Sequence, residues 1–201
     1  QYKLGKVSFQ GELGNQTPDY LRELLTIKTG DIFNFQEVVS DIQTITDVYT
    51  DQGYAFANIN PITKDILDTV DVNIDISLNK KVYVNRITIS GNTRTQDEVI
   101  RREIGISEGG LYSRSTLRDS VINLRRLGYF SDVQMSASKV DDMPDKIDLN
   151  FVLEETKTGT LSASVSHSNS FGFSLGAGIT EKNIFGSGNT FNADLRISES
   201  F

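Results

Sequence analysis

The chain has 201 residues, a formal net charge of −7, 37% hydrophobic residues and no cysteine. That is enough apolar material for small cores in one or two domains and excludes global disorder, while the missing cysteine excludes disulfide frameworks, thiolate metal sites and thiol nucleophiles and suits an oxidising compartment. The charge runs from six basic against twelve acidic residues up to Lys80 to rough balance beyond it, with one local basic cluster at Arg114, Arg118, Arg125 and Arg126, a distribution that argues against nucleic-acid binding.

Along the chain, the first segment alternates apolar Val7 and Phe9 and stops at Gly11, the pattern of a half-buried strand ended by glycine. Thr17-Pro18 predicts a helix start, with a hydroxyl to cap it and a proline at its first position. A second helix is predicted to open near Asn34 and Glu37, with Val38, Ile42, Ile45 and Tyr49 on one stripe. Gly53 stands where a C-terminal cap belongs, and two further runs, ending in Val72, Ile74, Ile76 and Leu78, predict a closing hairpin.

The order then starts again. Ile87 to Gly91 repeats Val7 to Gly11 at a spacing of 80 residues, Gly109-Gly110-Leu111-Tyr112 repeats Gly30-Asp31-Ile32-Phe33, and Gly128-Tyr129 repeats Gly53-Tyr54. Ile147, Leu149, Phe151 and Leu153 repeat the closing strand. These matches in one order mean a duplicated module. In the second copy Thr95-Gln96-Asp97-Glu98 predicts a capping box. A helix beginning near Ser115 carries Leu117, Val121, Leu124 and Leu127, with Gly128 at its end. Each copy, residues 1–80 and 81–156, reads strand, helix, helix, strand, strand: an α+β module with two helices on one face of a three-stranded sheet.

From Thr160 the pattern changes. Leu161, Ala163, Val165 and His167 alternate with serines; Phe171, Phe173, Leu175, Ala177 and Ile179 alternate with Gly, Ser and Thr; Phe191, Ala193, Leu195 and Ile197 alternate with Asn192, Asp194, Arg196 and Ser198. Three period-2 runs of about ten residues have the length and dyad pattern of membrane-barrel strands. A soluble half-buried sheet alternates too, but the small residues of the polar phase favour a barrel. No apolar run reaches the roughly 18 residues of a membrane helix. The chain opens on Gln1 without a leader and stops inside a patterned segment, so it is expected to be an internal or trimmed portion of a larger protein.

The duplicated modules resemble POTRA domains, and their order before an alternating segment resembles the Omp85 family. Gly178-Ile179-Thr180-Glu181-Lys182-Asn183-Ile184-Phe185-Gly186-Ser187-Gly188 is similar to that family's first barrel hairpin, with its Asn-apolar-apolar-Gly-x-Gly turn. Arg101-Arg102-Glu103 with Leu124-x-x-Leu127-Gly128-Tyr129-Phe130 resembles the module nearest the barrel, and Gln1-Tyr2-Lys3-Leu4 the start of the module before it. The resemblance spans essentially the whole chain, as a fourth-like and a fifth-like module followed, over 157–201, by barrel strands one to three. It is strongest to members that assemble outer-membrane proteins. It implies tandem β-α-α-β-β modules with mixed sheets, then the first antiparallel strands of a transmembrane β-barrel. It further implies a non-enzymatic protein without cofactors in the bacterial outer membrane, its POTRA modules in the periplasm. The implied partners are outer-membrane lipoproteins, unfolded outer-membrane protein substrates and outer-membrane lipid.

The same resemblance carries a lipoprotein-docking role to Glu103, with Arg101 and Arg102 beside it. It makes the middle strand of each module a sheet edge, about Ala57 to Asp65 and Asp132 to Val140, whose backbone can add an incoming strand. Pro61 removes a ladder donor and protects the first of these edges, which leaves Asp132, Val133, Gln134, Met135 and Ser136 as the strand-addition edge. Leu161, Ser162, Ala163, Ser164 and Val165 are expected to line a lateral barrel seam, where serine-rich, aromatic-free pairing is weak. A secretion transporter of the same family, or a soluble interaction module built on the repeats, would share much of this pattern.

Enzymatic readings fail on the residues. His167, the sole histidine, falls on the apolar phase of a strand. Asp141, Asp142 and Asp145 sit in a hairpin loop with too few spaced oxygens for calcium. Gly172, Gly176 and Gly178 lie along a strand rather than in a phosphate-binding turn before a helix.

Overall fold

The computed structural model describes residues 2–168 and 172–198. Its elements run β1 (Lys3–Gly11), α1 (Pro18–Glu23), α2 (Phe35–Asp51), β2 (Asn58–Ile66), β3 (Thr69–Ser77), β4 (Tyr83–Ser90), α3 (Asp97–Arg101), α4 (Arg114–Arg126), β5 (Phe130–Val140), β6 (Met143–Glu155), β7 (Gly159–Ser168), β8 (Gly172–Ile184) and β9 (Asn189–Ser198). The strands form three sheets with orders β1-β3-β2, β4-β6-β5 and β7-β8-β9.

The first module follows its local signals. The Tyr20 N–H donates to the Thr17 hydroxyl at the start of α1, where Pro18 takes the first position. The Gln36 N–H donates to the Asn34 side chain at 3.0 Å to open α2. β1 pairs with β3 in parallel and β2 with β3 antiparallel, a mixed sheet. Every second residue of β3 (Val70, Val72, Ile74, Ile76) is buried, and Val72, Ile74 and Ile76 join one core with Leu21, Val38, Ile45 and Tyr49 of the helices. The buried Asp41 carboxylate accepts the Thr26 and Ile27 N–H groups and the Thr26 hydroxyl, tying the loop after α1 to the side of α2.

The chain divides into two compact units that do not follow the repeat boundary. One comprises 1–86, 106–117 and 138–148; the other comprises 87–105, 118–137 and the chain from 149 onward. Within the first, the end of α2 meets the start of α4. The Ser115 N–H and Ser113 hydroxyl donate to Asp51 at 2.7 and 3.2 Å, Arg114 lies 3.6 Å from Asp47, and the Val82 N–H donates to the Gly53 carbonyl. An acidic side chain from one module thus caps a helix of the next, where the exposed N–H groups and helix dipole favour an anion.

In the second module Val99, Ile100, Leu117, Leu124, Leu149 and Phe151 are buried. The capping box expected at Thr95 to Glu98 does not form. α3 begins at Asp97 after Gln96, which makes no side-chain cap, because Thr95 is engaged elsewhere, as the site below shows.

Candidate functional site

The sheet β7-β8-β9 is antiparallel throughout, and its register decides what its faces are. Leu161 pairs with Ile179 and Ile179 with Ala193; Val165 pairs with Leu175 and Leu175 with Ile197; Ala163 pairs with Ala177 and Ala177 with Leu195. The apolar phases of all three strands therefore share one face. The other face joins Ser162, Gly178 and Asp194 in one row and Ser164, Gly176 and Arg196 in the next. Nothing among the described residues covers the apolar face: Leu161 is 83% exposed, Val165 72% and Leu195 65%, and Phe173 and Leu175 also lie open rather than packed under helices. His167 sits in the apolar phase with its ring 4.5 Å from that of Phe173. Phe171, which belongs to the same predicted phase, lies outside the described residues. The expected seam residues, Leu161 to Val165, occupy the middle of β7, at an edge of this sheet.

The segment Gly178 to Gly188 is not the turn between the first two strands of this sheet. It is the end of β8 and the turn into β9, and it is seated on the second module. Asn183, 4% exposed, donates through Nδ2 to the Thr95 hydroxyl at 2.8 Å and accepts the Gly188 N–H through Oδ1 at 2.8 Å. The Gln96 N–H donates to the Gly186 carbonyl and the Tyr129 hydroxyl to the Gly188 carbonyl. Gly186 has φ +70, and a Cβ there would run into the Arg94 carbonyl, so the close approach requires glycine. Phe185 also has a left-handed backbone and displays its ring to solvent.

Under this seat lies Glu155, at the end of β6. Its carboxylate accepts the Thr93, Arg94 and Thr95 N–H groups at 3.1, 2.9 and 2.6 Å and the Thr93 hydroxyl at 2.7 Å. Burial pushes the Glu155 carboxyl up, but the hydrogen bonds from Thr93, Thr95 and Arg94 outweigh it and hold the group at about 2. Thr158, between β6 and β7, bonds Glu181 of β8. A polar clasp therefore runs Glu155, Thr95, Asn183, Gly188. The sequence reading missed it. The available signal was Asn183 itself, a polar residue where alternation calls for an apolar one, close to the register shift between Glu181 and Ile184.

The three expected docking residues lie together at the end of α3 but differ in engagement. Arg101 is turned onto its own module, donating to Asp97 at 2.7 Å and to the Ile87 carbonyl at 3.2 Å. Arg102 lies 3.7 Å from Glu103 and against the Gly188 turn, where a Cβ would meet its guanidinium. Of the triplet, Arg102 is the residue set against the β8–β9 turn, with Glu103 beside it in sequence and 3.7 Å away.

β2 and β5 are both edges of their sheets. Pro61 stands in the middle of β2, opposite Ile74. Of the expected addition edge, Val133 has both backbone groups met by side chains. The Val133 N–H donates to Asp132 at 2.8 Å and its carbonyl accepts from Arg125 at 3.0 Å. Gln134, Met135 and Ser136 continue the edge beyond this closed point.

Residues 2–80 and 82–156 each match the POTRA family, described as a surface antigen variable number repeat. Over its whole length the chain is 36% identical to the outer membrane protein assembly factor BamA of Neisseria meningitidis serogroup B, of which it covers 25%. It is 34% identical over 94% of its length to the protein of the same name from Nitratidesulfovibrio vulgaris, covering 24% of it. The chain thus spans about a quarter of the length of these curated relatives. The crystal structure of BamA from Haemophilus ducreyi lacking POTRA domains 1–3 matches 98% of the chain and 37% of its own with a TM-score of 0.84 at 27% identity. POTRA3–5 of Haemophilus influenzae BamA shares the fold over 77% of the chain and 62% of its own, with a TM-score of 0.69 at 23% identity.

Proposed function

This chain belongs to the POTRA family, and we propose that it is the membrane-proximal part of an outer-membrane protein assembly factor. Its two modules stand in the periplasm, and β7, β8 and β9 are the first strands of a barrel in the outer membrane. The modules take up unfolded outer-membrane precursors, and the barrel edge at β7 receives them. Glu103 and Arg102 dock an outer-membrane lipoprotein, with Arg101 holding the helix end that presents them. The names of the relatives support this reading, and one observation carries it: three registered strands bring the described apolar residues of their phase to one face that nothing among the described residues covers. In water so continuous a face is a liability; against lipid tails it is satisfied.

The sequence contains no tryptophan, so single reporters are clean. In protein reconstituted into vesicles of brominated lipid, Leu195→Trp is expected to be quenched and Arg196→Trp, on the opposite face, to be spared. Equal quenching of the two, or none at Leu195→Trp, would overturn the membrane reading.

A further inference from the structure

We propose that Arg125 and Asp132 latch the first outward rung of β5, so that an added strand can pair only from Met135 onward; this rests on the strand-addition reading above. Successive residues of a strand point their N–H and C=O alternately to the two sides, each residue presenting both groups to the same side. At Val133 both groups are met by side chains, Asp132 at 2.8 Å and Arg125 at 3.0 Å, so this rung faces away from β6 and is already filled. By alternation Met135 and Ala137 present the next outward rungs.

The latch is a small network. Arg125, in the last turn of α4, reaches over the turn that follows and lies 3.6 Å from Asp132, whose other carboxylate oxygen accepts from the Gln134 side chain at 2.8 Å. Both charged side chains are about half exposed, so their pairing adds little to the fold. Their placement matters because they replace, rung for rung, what an incoming backbone would supply. The partner this surface fits is an extended segment of alternating apolar and polar residues with an unpaired backbone edge. Its register on β5 is set by where the latch ends.

A synthetic peptide of Asn189 to Ser198, an alternating strand of this kind, serves as the probe against the full chain in detergent. Affinity is read by fluorescence anisotropy, and the site by which β5 amides gain hydrogen-exchange protection. In the parent protein Met135 and Ala137 are expected to gain protection and Val133 to be unchanged. Arg125→Ala, which frees the Val133 carbonyl, is expected to tighten binding roughly three- to tenfold, the effect of one added backbone hydrogen bond. Asp132→Ala, which frees the Val133 N–H, should tighten binding similarly and extend protection to the Val133 amide. If the peptide protects Met135 but both variants leave affinity and the protected set unchanged, the latch is wrong. Weaker binding by Arg125→Ala also overturns it, since the guanidinium would then be a contact. If no β5 amide is protected in any of the three proteins, the strand-addition reading itself fails.

Discussion

Glu155→Gln tests whether the clasp beneath the β8–β9 turn is held by charge. The substitution keeps one acceptor oxygen but removes the anion that three backbone N–H groups and a hydroxyl converge on. The carboxyl is held at about 2 against an ordinary value of 4.5. The whole of that shift corresponds to about 3 kcal/mol of differential stabilisation, and partial solvent access discounts it to about 1–2 kcal/mol. The folded-state value is the depressed one, so the contribution is fully present above pH 4.5 and is lost as pH falls through about 2. Amide hydrogen exchange at Thr95, measured as the ratio of variant to parent, is the direct assay. At pH 7 the variant should exchange faster by roughly five- to thirtyfold, and the ratio should shrink toward one as pH approaches 2. A ratio near one at pH 7, or one that stays constant on acidification, would refute the charged clasp.

Asn183→Ala removes the donor to Thr95 and the acceptor of Gly188 together at a buried site. It should cost about 2–3 kcal/mol, seen as faster exchange of the Gly188 amide with Ile74 in the first module unchanged. Asp51→Ala removes the cap that one module places on the next and should cost about 1 kcal/mol, read at the Ser115 amide. Glu103→Lys sets two like charges side by side with Arg102; co-purification of the lipoprotein partner should fall while the circular dichroism of the modules is unchanged, and undiminished co-purification would remove Glu103 from the docking role.

What was legible in the sequence was what local physics decides. Thr17-Pro18 and Asn34 read as helix starts because a cap and its N–H lie within three residues, and the stripes of α2 and α4 read as helices because their spacing is helical. The alternation beyond Thr160 read as strands for the same reason. Thr95 was misread because a residue 60 positions away, Glu155, and another 88 away, Asn183, compete for the groups a local capping box would use. No window of sequence contains that competition. Arg125 and Asp132 escaped notice likewise: they lie on a helix and the next strand, and only the turn between them brings a guanidinium to a backbone carbonyl.

The edges of the two module sheets show why only the later part of β5 remains for strand addition. β1 begins beneath its own module's loop: Leu4 and Asp31, Gly30 and Leu4, and Phe33 and Tyr2 are joined by backbone hydrogen bonds. β4 repeats the device with Val84, Gly109, Gly110, Tyr112 and Val82. β2 is interrupted by Pro61, which has no N–H to offer. A long open edge recruits any other open edge, including that of a second copy of the same chain, so closing the unused edges lowers that risk. On β5 the closure stops after Val133. Seven residues of β5 lie beyond it, 134–140, spanning roughly 23 Å at the rise of a strand, room for about three outward rungs. A shortened edge holds a strand more weakly than a full one would, and on the function proposed above a weak, reversible hold lets the strand pass on to β7.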